Sequence, residues 1–322
     1  MAMTPEAPRG QRGTVLVVGG THGNERNGPW LLEAWRRGTC QLACHGLAVR
    51  AVIGNPAALA ANRRYLDRDL NRSFSPVCLA DGSAGDREIV RARELLARHG
   101  VDGVEPALVV IDLHSTTAAM GNGLVVYGRR PADLALAAAL QHRLGLPVYG
   151  HEGDPAQTGY LCERWPCGLV IEVGPVGQGL LDATIVRQTR LALEEALAVL
   201  AMAARGEVDL PPRLVVHLHG RTIDRPRHGD GSPAGVIHPQ RHGRDWRPIE
   251  RGDPLFLTAD GATLTHDGAT AWPVFINEAA YEEKGIALAL TQRQVLAVED
   301  HWAPSLIRLA RRLDTDQRGS PL

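Results

Sequence analysis

The stretch VLVVGGTHGNE, residues 15–25, decides both the fold and the first part of the site. It begins with a continuous run of Val and Leu that ends at Gly19 and Gly20, which predicts a strand buried on both faces. His22 and Glu25 follow on the next turn, three positions apart. In open α/β sheets, ligands bind beyond the carboxyl ends of the strands. An imidazole and a carboxylate placed directly after a buried strand therefore indicate a functional site at that edge.

Strand-like and helix-like segments alternate from residue 14 to about residue 205. Further buried strands are predicted in four segments: LAVRAVIG (47–54), ALVVIDLH (107–114), GLVVYG (123–128) and GLVIEVG (168–174). Helices are predicted after Pro29, Asp86 and Pro131, and a longer helix is predicted after the last of these strands. The alternation predicts an α/β fold with a mostly parallel central sheet flanked by helices.

The sequence changes character after residue 205. Residues 212–300 contain short β-like runs between Gly, Pro and Asp turns: LVVHLHG (214–220), PLFLT (254–258) and WPVFIN (272–277). We therefore predict two domains, 1–210 and a smaller β-rich domain at 211–322, with the boundary near Leu210. From Pro304 onward, a short helix and then a polar tail are predicted.

Composition excludes several classes of protein. The 322 residues are 44% apolar and 22% charged, and 35 Lys and Arg face 36 Asp and Glu, so no electrostatic case exists for nucleic acid or an anionic membrane. No apolar stretch approaches the roughly 20 residues that span a bilayer. The N-terminal segment lacks the apolar centre of a secretory signal, and the five cysteines contain no CxxC pair. We expect a cytoplasmic protein without a membrane or nucleic-acid partner.

The third and the last predicted strands of the α/β region bring further polar groups to the same edge. ALVVIDLH ends in Asp112 and His114, with Ser115 next, and GLVIEVG carries Glu172. Two His and one Glu form a ligand set that is used by catalytic zinc, with a fourth position left open. Imidazole and carboxylate ligands also accept cobalt or manganese.

Each of these residues also has an interpretation without a metal. A single His after a strand is more often a hydrogen-bonded loop residue, and an HxxE pair alone is a weak signal. Asp112, His114 and Ser115 are the residue types of a catalytic triad, but groups so close in sequence cannot easily form the required line. Asp112 is better interpreted as a group that orients His114. The combination favours a metal site.

The segment GNPAALAANRRYLDRDLNRSF, residues 54–74, is dense in arginine and asparagine. Arginine forks bind carboxylates through two parallel hydrogen bonds, so the segment indicates an anionic substrate. The alternative is an ion-paired loop with no binding role. The candidate binding residues are Arg63, Arg64, Arg68, Asn71 and Arg72.

Six motifs, in order along the chain, resemble the aspartoacylase/aminoacylase-3 family of zinc amidohydrolases, which are related to carboxypeptidases and succinylglutamate desuccinylases. The resemblance extends from about residue 14 to residue 293 and rests on THGNE, NRRYLDRDLNRSF, DLHSTTAAMG, IEVGPVGQG, HPQRHGRDWRPIERGDPLFLTADG and PVFINEAAYEEKG. It implies a zinc-carboxypeptidase-like catalytic domain and a β-rich C-terminal domain that covers the active-site cleft. It also implies a homo-oligomer.

The resemblance assigns roles to individual residues. It implies one zinc ion per subunit, and it makes Glu172 the general base that takes a proton from the attacking water and passes it to the leaving nitrogen. Arg64 would polarise the scissile carbonyl, Asn71 and Arg72 would hold the substrate carboxylate, and Tyr281 would reach the site from the C-terminal domain. The implied zinc ligands are His22, Glu25 and His114.

The chain departs from animal aspartoacylases where these engage the second carboxylate of N-acetylaspartate. Tyr160 stands where their arginine would fall, Gly285 stands where their lysine would be, and Arg164 is the candidate substitute. The expected activity is hydrolysis of a small anionic N-acyl-L-amino acid, with N-acetyl-L-aspartate as the first candidate. The alternatives are N-acyl amino acids with neutral or aromatic side chains, a peptide substrate, and a non-catalytic metal-binding homologue.

Overall fold

A computed structural model describes residues 10–80, 85–152 and 158–315. The strands within these ranges are β1 (Thr14–Gly19), β2 (Val49–Ile53), β3 (Ala107–Ser115), β4 (Asn122–Tyr127), β5 (Val148–His151), β6 (Cys167–Val173), β7 (Arg213–Asp224), β8 (Gly235–Ile237), β9 (Pro254–Thr258), β10 (Thr263–Thr265), β11 (Trp272–Val274) and β12 (Ile286–Ala297). The α-helices are α1 (Asn27–Arg36), α2 (Pro56–Ala61), α3 (Pro76–Ala80), α4 (Arg87–His99), α5 (Pro131–Leu144), α6 (Ala183–Arg205) and α7 (Trp302–Ala310). Short 3₁₀ helices lie at Leu70–Arg72, Leu161–Arg164 and Ala279–Lys284.

Nine strands form the central sheet, in the order β11-β12-β7-β5-β4-β6-β3-β1-β2. The pairs β1–β2, β1–β3, β3–β6, β4–β5 and β5–β7 are parallel, whereas β4–β6, β7–β12 and β11–β12 are antiparallel. The predicted α/β fold is thereby confirmed: a mostly parallel sheet with flanking helices, followed by an antiparallel β-rich C-terminal part.

The continuous apolar run of β1 follows from burial on both faces of the sheet. Val15 and Val17 belong to the core covered by α1, α5, α6 and α7. Leu16 and Val18 belong to the core on the opposite face, together with residues of α4. Each fully buried Val or Leu side chain contributes about 1.5–3 kcal/mol through the area that it removes from water. The sheet is therefore a rigid support for the groups at its edge.

The C-terminal strands divide between two sheets. β7, β11 and β12 extend the central sheet, since β5 pairs with β7 in parallel from Val148↔Val216 to Gly150↔Leu218. β8, β9 and β10 form a separate antiparallel sheet of three strands. A separate domain at residues 211–322 stays a prediction, but its first long strand is hydrogen bonded to the sheet that carries the site.

The ends of the chain and the cysteines bear on the remaining predictions. Helix α7 (Trp302–Ala310) includes the helix predicted near Pro304, whereas residues 1–9 and the polar tail at 316–322 lie outside the described ranges. In the described part of the chain, no helix has the length and apolar character needed to cross a membrane. No two of the five cysteines, all of which are described, form a disulfide. Cytoplasmic localisation stays a prediction.

Candidate metal centre and active-site cavity

The turn after β1 requires a glycine at its centre. A Cβ atom added to Gly23 would lie 2.1 Å from the carbonyl carbon of Ala58 in α2, which no real contact permits. Without that side chain, the turn packs against α2, and the Gly23 amide donates to the carbonyl of Arg64 at 3.1 Å. His22 and Glu25 are both buried on this turn. Their HxxE spacing therefore results from a closely packed turn at the carboxyl end of β1.

The structure brings the three predicted metal ligands together. His22 Nδ1 lies 2.6 Å from Glu25 Oε1, and His114 Nδ1, at the end of β3, lies 3.1 Å from Glu25 Oε2. One donor atom of each residue lies within 4.8 Å of the others. Burial alone would raise the pKa of Glu25, but His22 and His114 hold it well below its usual range. The centre is therefore a buried carboxylate between two imidazole nitrogens.

Two further carboxylates orient the imidazole rings. His114 Nε2 donates to Asp112 Oδ2 at 2.7 Å, and His22 Nε2 donates to Asp69 Oδ1 at 3.0 Å. Because a carboxylate only accepts, each Nε2 carries a proton, and each Nδ1 is directed at the Glu25 carboxylate, the position from which its lone pair could bind a cation. This is the arrangement that metal-ligating histidines adopt. The donor set and its orientation thus fit a divalent cation, and Asp112 has the position that the sequence analysis predicted for it.

Asp69 links the metal centre to Arg64. Arg64 Nη2 donates to Asp69 Oδ2 at 3.1 Å, and Arg64 Nη1 lies 3.5 Å from Glu25 Oε1. Burial disfavours the charged form of Arg64, but Asp69 and Glu25 raise the pKa of Arg64 above its usual range. The guanidinium therefore stays charged beside the centre. The role of Asp69 was missed in the sequence, where it is one acidic residue in a segment rich in charges.

A cavity of about 530 Å³ opens onto the metal centre. Glu172 lines it from β6, where it pairs in register with His114 of β3. Burial raises the pKa of Glu172 to about 8; Glu25 and Glu278 act in the same direction, and His114 opposes it. The predicted residues that line the cavity are His22, Glu25, Arg64, Asn71, Arg72, His114, Glu172 and Tyr281.

The predicted carboxylate-binding pair lies on the 3₁₀ turn Leu70–Arg72. Asn71 Oδ1 accepts a hydrogen bond from the Leu161 amide at 2.8 Å, which fixes the orientation of its side-chain amide. The Arg72 guanidinium lies 4.1 Å from the centroid of the Tyr160 ring, a favourable contact between a cation and an aromatic face. Both side chains line the cavity.

The C-terminal part of the chain contributes Tyr281 through a buried glutamate that the sequence analysis missed. Glu278 Oε2 accepts hydrogen bonds from the amides of Thr117 at 2.8 Å and Ala118 at 3.2 Å, in the segment that follows His114. Glu278 Oε1 accepts from the Ala280 amide at 2.9 Å, at the start of the 3₁₀ helix Ala279–Lys284. One carboxylate thereby joins the helix that carries Tyr281 to the strand end that carries His114, a predicted metal ligand.

The cavity lining differs from the sequence-based expectation at the residue predicted to bind a second carboxylate. Arg164, the candidate for the second carboxylate, is not among the described residues that line the cavity, whereas Tyr160 is. The reason is local: Arg164 ends the 3₁₀ helix Leu161–Arg164, and Tyr160 precedes it. Lys284, next to the glycine that stands in place of the family lysine, lines the cavity instead.

Imidazole and phenol rings form much of the remaining wall, and this feature was not predicted. The rings of His151 and His219 are stacked with centroids 4.8 Å apart, and Tyr149 Oη lies 2.8 Å from His219 Nδ1. Tyr127 stacks on Tyr160 at 3.9 Å. These residues come from β4, β5 and β7 and from the segment before Leu161–Arg164, so no single motif reveals the wall.

Comparison with known proteins agrees with this geometry. Residues 11–200 match the family model described as the succinylglutamate desuccinylase/aspartoacylase catalytic domain, and residues 212–293 match the AstE/AspA barrel-sandwich hybrid domain. Probable aspartoacylases from Parasynechococcus marenigrum (strain WH8102) and Prochlorococcus marinus (strain MIT 9313) are 56% and 55% identical to this chain; the alignments cover 92% of it and 98% and 97% of those proteins.

A solved structure of murine aminoacylase 3 has a TM-score of 0.79 and 33% identity, covering 89% of this chain and 97% of that one. The succinylglutamate desuccinylase of Vibrio parahaemolyticus, with a TM-score of 0.57 and 16% identity over 91% of this chain and 88% of that one, shares the fold. On the matched domains, the identity to the probable aspartoacylases and the coverage, this chain belongs to the succinylglutamate desuccinylase/aspartoacylase family.

Proposed function

We propose that the chain is a zinc-dependent amidohydrolase that cleaves N-acyl-L-amino acids, with N-acetyl-L-aspartate, cleaved to acetate and L-aspartate, as the first candidate substrate. One observation carries the proposal: the Nδ1 atoms of His22 and His114 converge on Glu25 in a cavity that Glu172 and Arg64 also line. The names of the two relatives, both probable aspartoacylases, support the aspartyl substrate.

Three residues would hold the metal, one ion per subunit: His22, Glu25 and His114. A zinc ion bound there would supply Lewis-acid chemistry, which polarises a carbonyl and makes water a better nucleophile. Asp112 and Asp69 keep the two imidazoles in the tautomer that such binding needs.

The remaining cavity residues would carry the proton transfer and the charge stabilisation. Glu172 accepts a proton from the attacking water and donates it to the leaving nitrogen, and burial, which raises its pKa, favours the protonated form that lies between these two steps. Arg64 faces the negative charge that develops on the carbonyl oxygen. Arg72 and Asn71 bind the α-carboxylate, and Tyr281 lines the same cavity.

The test combines metal analysis with one isosteric variant. Purified protein is assayed for zinc content and for release of acetate from N-acetyl-L-aspartate, and Glu172→Gln is compared with wild type. We expect equal zinc content and a fall in kcat of ~10²–10⁴-fold, the usual contribution of a positioned proton-transfer group. A Glu172→Gln enzyme with undiminished turnover would remove the proposed general base. A zinc-loaded wild type that hydrolyses no N-acyl amino acid would favour the non-catalytic alternative.

A second substrate class is favoured by the ring-lined wall. His151, His219, Tyr149 and Phe275 line the cavity, and aromatic rings suit the side chain of an N-acetylated aromatic or neutral amino acid. The solved aminoacylase 3 is a relative of the same family. A panel of N-acetyl amino acids decides between the classes. If the aspartyl substrate is preferred through Lys284, Lys284→Met raises its KM and leaves the KM for N-acetyl-phenylalanine unchanged.

Two further properties of the protein remain proposals. We propose cytoplasmic localisation, on the cysteine pattern of the sequence, and assembly as a homo-oligomer, on the family resemblance. Light scattering of the purified protein at several concentrations measures the molar mass directly. A mass that stays at the 34.7 kDa of a single chain would refute the oligomer.

A further inference from the structure

The segment between α2 and the 3₁₀ turn Leu70–Arg72 carries two of the charged groups beside the metal centre but has no regular secondary structure from residue 62 to residue 69. Arg64 and Asp69 lie at its two ends. Both must stay in place for the ion pair with each other and for the contacts with Glu25 and His22. Something outside the segment therefore has to fix its backbone.

We propose that Glu88 is the positioning residue that holds this segment, and that it acts on the proposed reaction through Arg64 and Asp69. Glu88 lies in the first turn of α4 and is fully buried. Its Oε1 accepts hydrogen bonds from the Leu66 amide at 2.7 Å and from Asn55 Nδ2 at 3.0 Å.

The other oxygen of Glu88 completes the attachment. Its Oε2 accepts from the amides of Asp67 at 3.1 Å and Arg68 at 3.3 Å. Three successive backbone amides thus bind one carboxylate in the interval between Arg64 and Asp69. Hydrogen bonds to an ionised acceptor are roughly twice as strong as neutral ones, and burial protects them from water.

Neighbouring ion pairs strengthen the attachment at the surface but do not replace it. Asp67 accepts from Arg87, and Arg68 pairs with Asp86, yet both arginine side chains are about half exposed or more, so water and salt screen these pairs.

The carboxylates of Asp67, Asp86 and Glu88 lie close enough to suggest a second cation. Their oxygens already accept from arginines and backbone amides, so the group is an anchor and not a metal site.

The Glu88 contacts fix residues 62–69 and do not extend to Asn71. Beyond Asp69, the chain is attached independently, because Asn71 Oδ1 accepts from the Leu161 amide at 2.8 Å and the Phe74 amide donates to the Gly159 carbonyl at 3.1 Å. Loss of the Glu88 contacts would therefore displace Arg64 and Asp69 more than Asn71.

The test uses Glu88→Gln, which keeps the side-chain volume but turns one acceptor group into a donor that faces backbone amides. Hydrogen–deuterium exchange on the zinc-loaded protein reports the segment, and zinc affinity reports the contact of Asp69 with His22. The kcat/KM measurements depend on the proposed function, because they require hydrolysis of an N-acyl amino acid. The control is Asp182→Ala, which removes a carboxylate that caps α6 by accepting from the Thr184 amide at 2.7 Å and from the Ile185 amide at 3.1 Å.

In Glu88→Gln we expect faster exchange in peptides that cover residues 62–70, zinc affinity at least threefold weaker, and kcat/KM at least tenfold lower. In an Arg64→Ala background, the same change should lower kcat/KM less than threefold, because one of the two groups through which it acts is already absent and Asp69 has lost its ion-pair partner. Asp182→Ala should change none of these readouts. Should Glu88→Gln fail to fold, Asn55→Ser removes one of the four donors while keeping a good helix cap, and smaller changes in the same direction are expected.

Unchanged hydrogen–deuterium exchange in residues 62–70 of Glu88→Gln would overturn the assignment. So would a Glu88→Gln change that lowers kcat/KM as much in the Arg64→Ala background as in the wild type. So would an Asp182→Ala enzyme that loses as much activity as Glu88→Gln. If the wild type hydrolyses no N-acyl amino acid, the proposed function fails. Exchange and zinc affinity then decide the role of Glu88 by themselves.

Discussion

The negative charge of Asp112 offers a direct test of the metal centre. Asp112 is completely buried and accepts two hydrogen bonds of 2.7 Å, one from Thr21 Oγ1 and one from His114 Nε2. Asparagine has nearly the same shape. Its oxygen can accept from His114, and its NH₂ group can donate to the Thr21 hydroxyl, which turns to accept. Asp112→Asn therefore keeps both contacts and removes only the charge.

The expected cost follows from this geometry. Substituting a residue that orients a metal ligand typically weakens metal affinity 10–100-fold, which is about 1.4–2.7 kcal/mol. We expect Asp112→Asn to fall within this range for zinc, because His114 keeps its orientation but becomes a weaker electron donor. Thr21→Val is the matched control. It keeps the charge and leaves one buried oxygen without a donor, so it should lower the free energy of unfolding by about 1–3 kcal/mol with a smaller effect on zinc.

Zinc affinity is measured by competition with a chromogenic chelator at fixed pH, and unfolding by urea titration of the zinc-free proteins. Zinc affinity of Asp112→Asn within threefold of wild type would show that the charge does not act on the ligand. Weaker zinc binding in Thr21→Val than in Asp112→Asn would show that position, and not charge, is what Asp112 supplies. Either result would refute the reasoning.

Three further predictions concern other buried carboxylates. Glu278→Gln should lower kcat/KM at least tenfold with little change in zinc affinity, because it loosens the helix of Tyr281 and not the ligands; equal loss of both would contradict this. Burial raises the pKa of Asp245 to about 6, so the folded state holds this proton more tightly and the wild type should lose about 3 kcal/mol of stability as pH rises from about 4 to 6. Asp245→Asn should abolish that loss in thermal unfolding scans between pH 4 and 7; superimposable pH profiles would contradict the assignment. Asp133→Asn should cost about 3–5 kcal/mol in urea unfolding, because Asp133 is buried, pairs with Arg130 and accepts from the Gly168 amide at 2.9 Å; a cost below about 1 kcal/mol would show that Arg130 finds other partners.

The convergence of His22, Glu25 and His114 could be predicted because it depends on the strongest signal in the sequence, the buried strands that precede them. Continuous apolar runs identify buried parallel strands, and the residues that follow such runs lie at one edge of the sheet. The register confirms the consequence: His114 of β3 lies beside Glu172 of β6, and Val18 of β1 lies beside Asp112. Strand ends thus place these side chains together without any knowledge of the loops.

Unlike Asp112, the supporting carboxylates Asp69, Glu88 and Glu278 could not be predicted, since their partners are distant in sequence and many of them are backbone amides. Asp69 binds His22 across 47 residues, and Glu278 binds the Thr117 amide across 161. A backbone amide is present at almost every position, so a carboxylate that accepts from amides leaves no residue pattern to detect. Glu88, at the start of an amphipathic helix, looks like an ordinary first-turn acidic residue.

The wall of the cavity depends on strand order, which hydrophobic periodicity does not encode. The sequence indicates strands after residue 212 but does not indicate that β7 pairs with β5 rather than with its own neighbours. That pairing brings His219 from the C-terminal part onto His151 from the α/β part, with centroids 4.8 Å apart, and the stacked rings line the cavity together. Tyr281 reaches the cavity from the same C-terminal part. Residues that select the substrate side chain must therefore be sought on both sides of the predicted boundary near Leu210, since neither half of the chain supplies the wall alone.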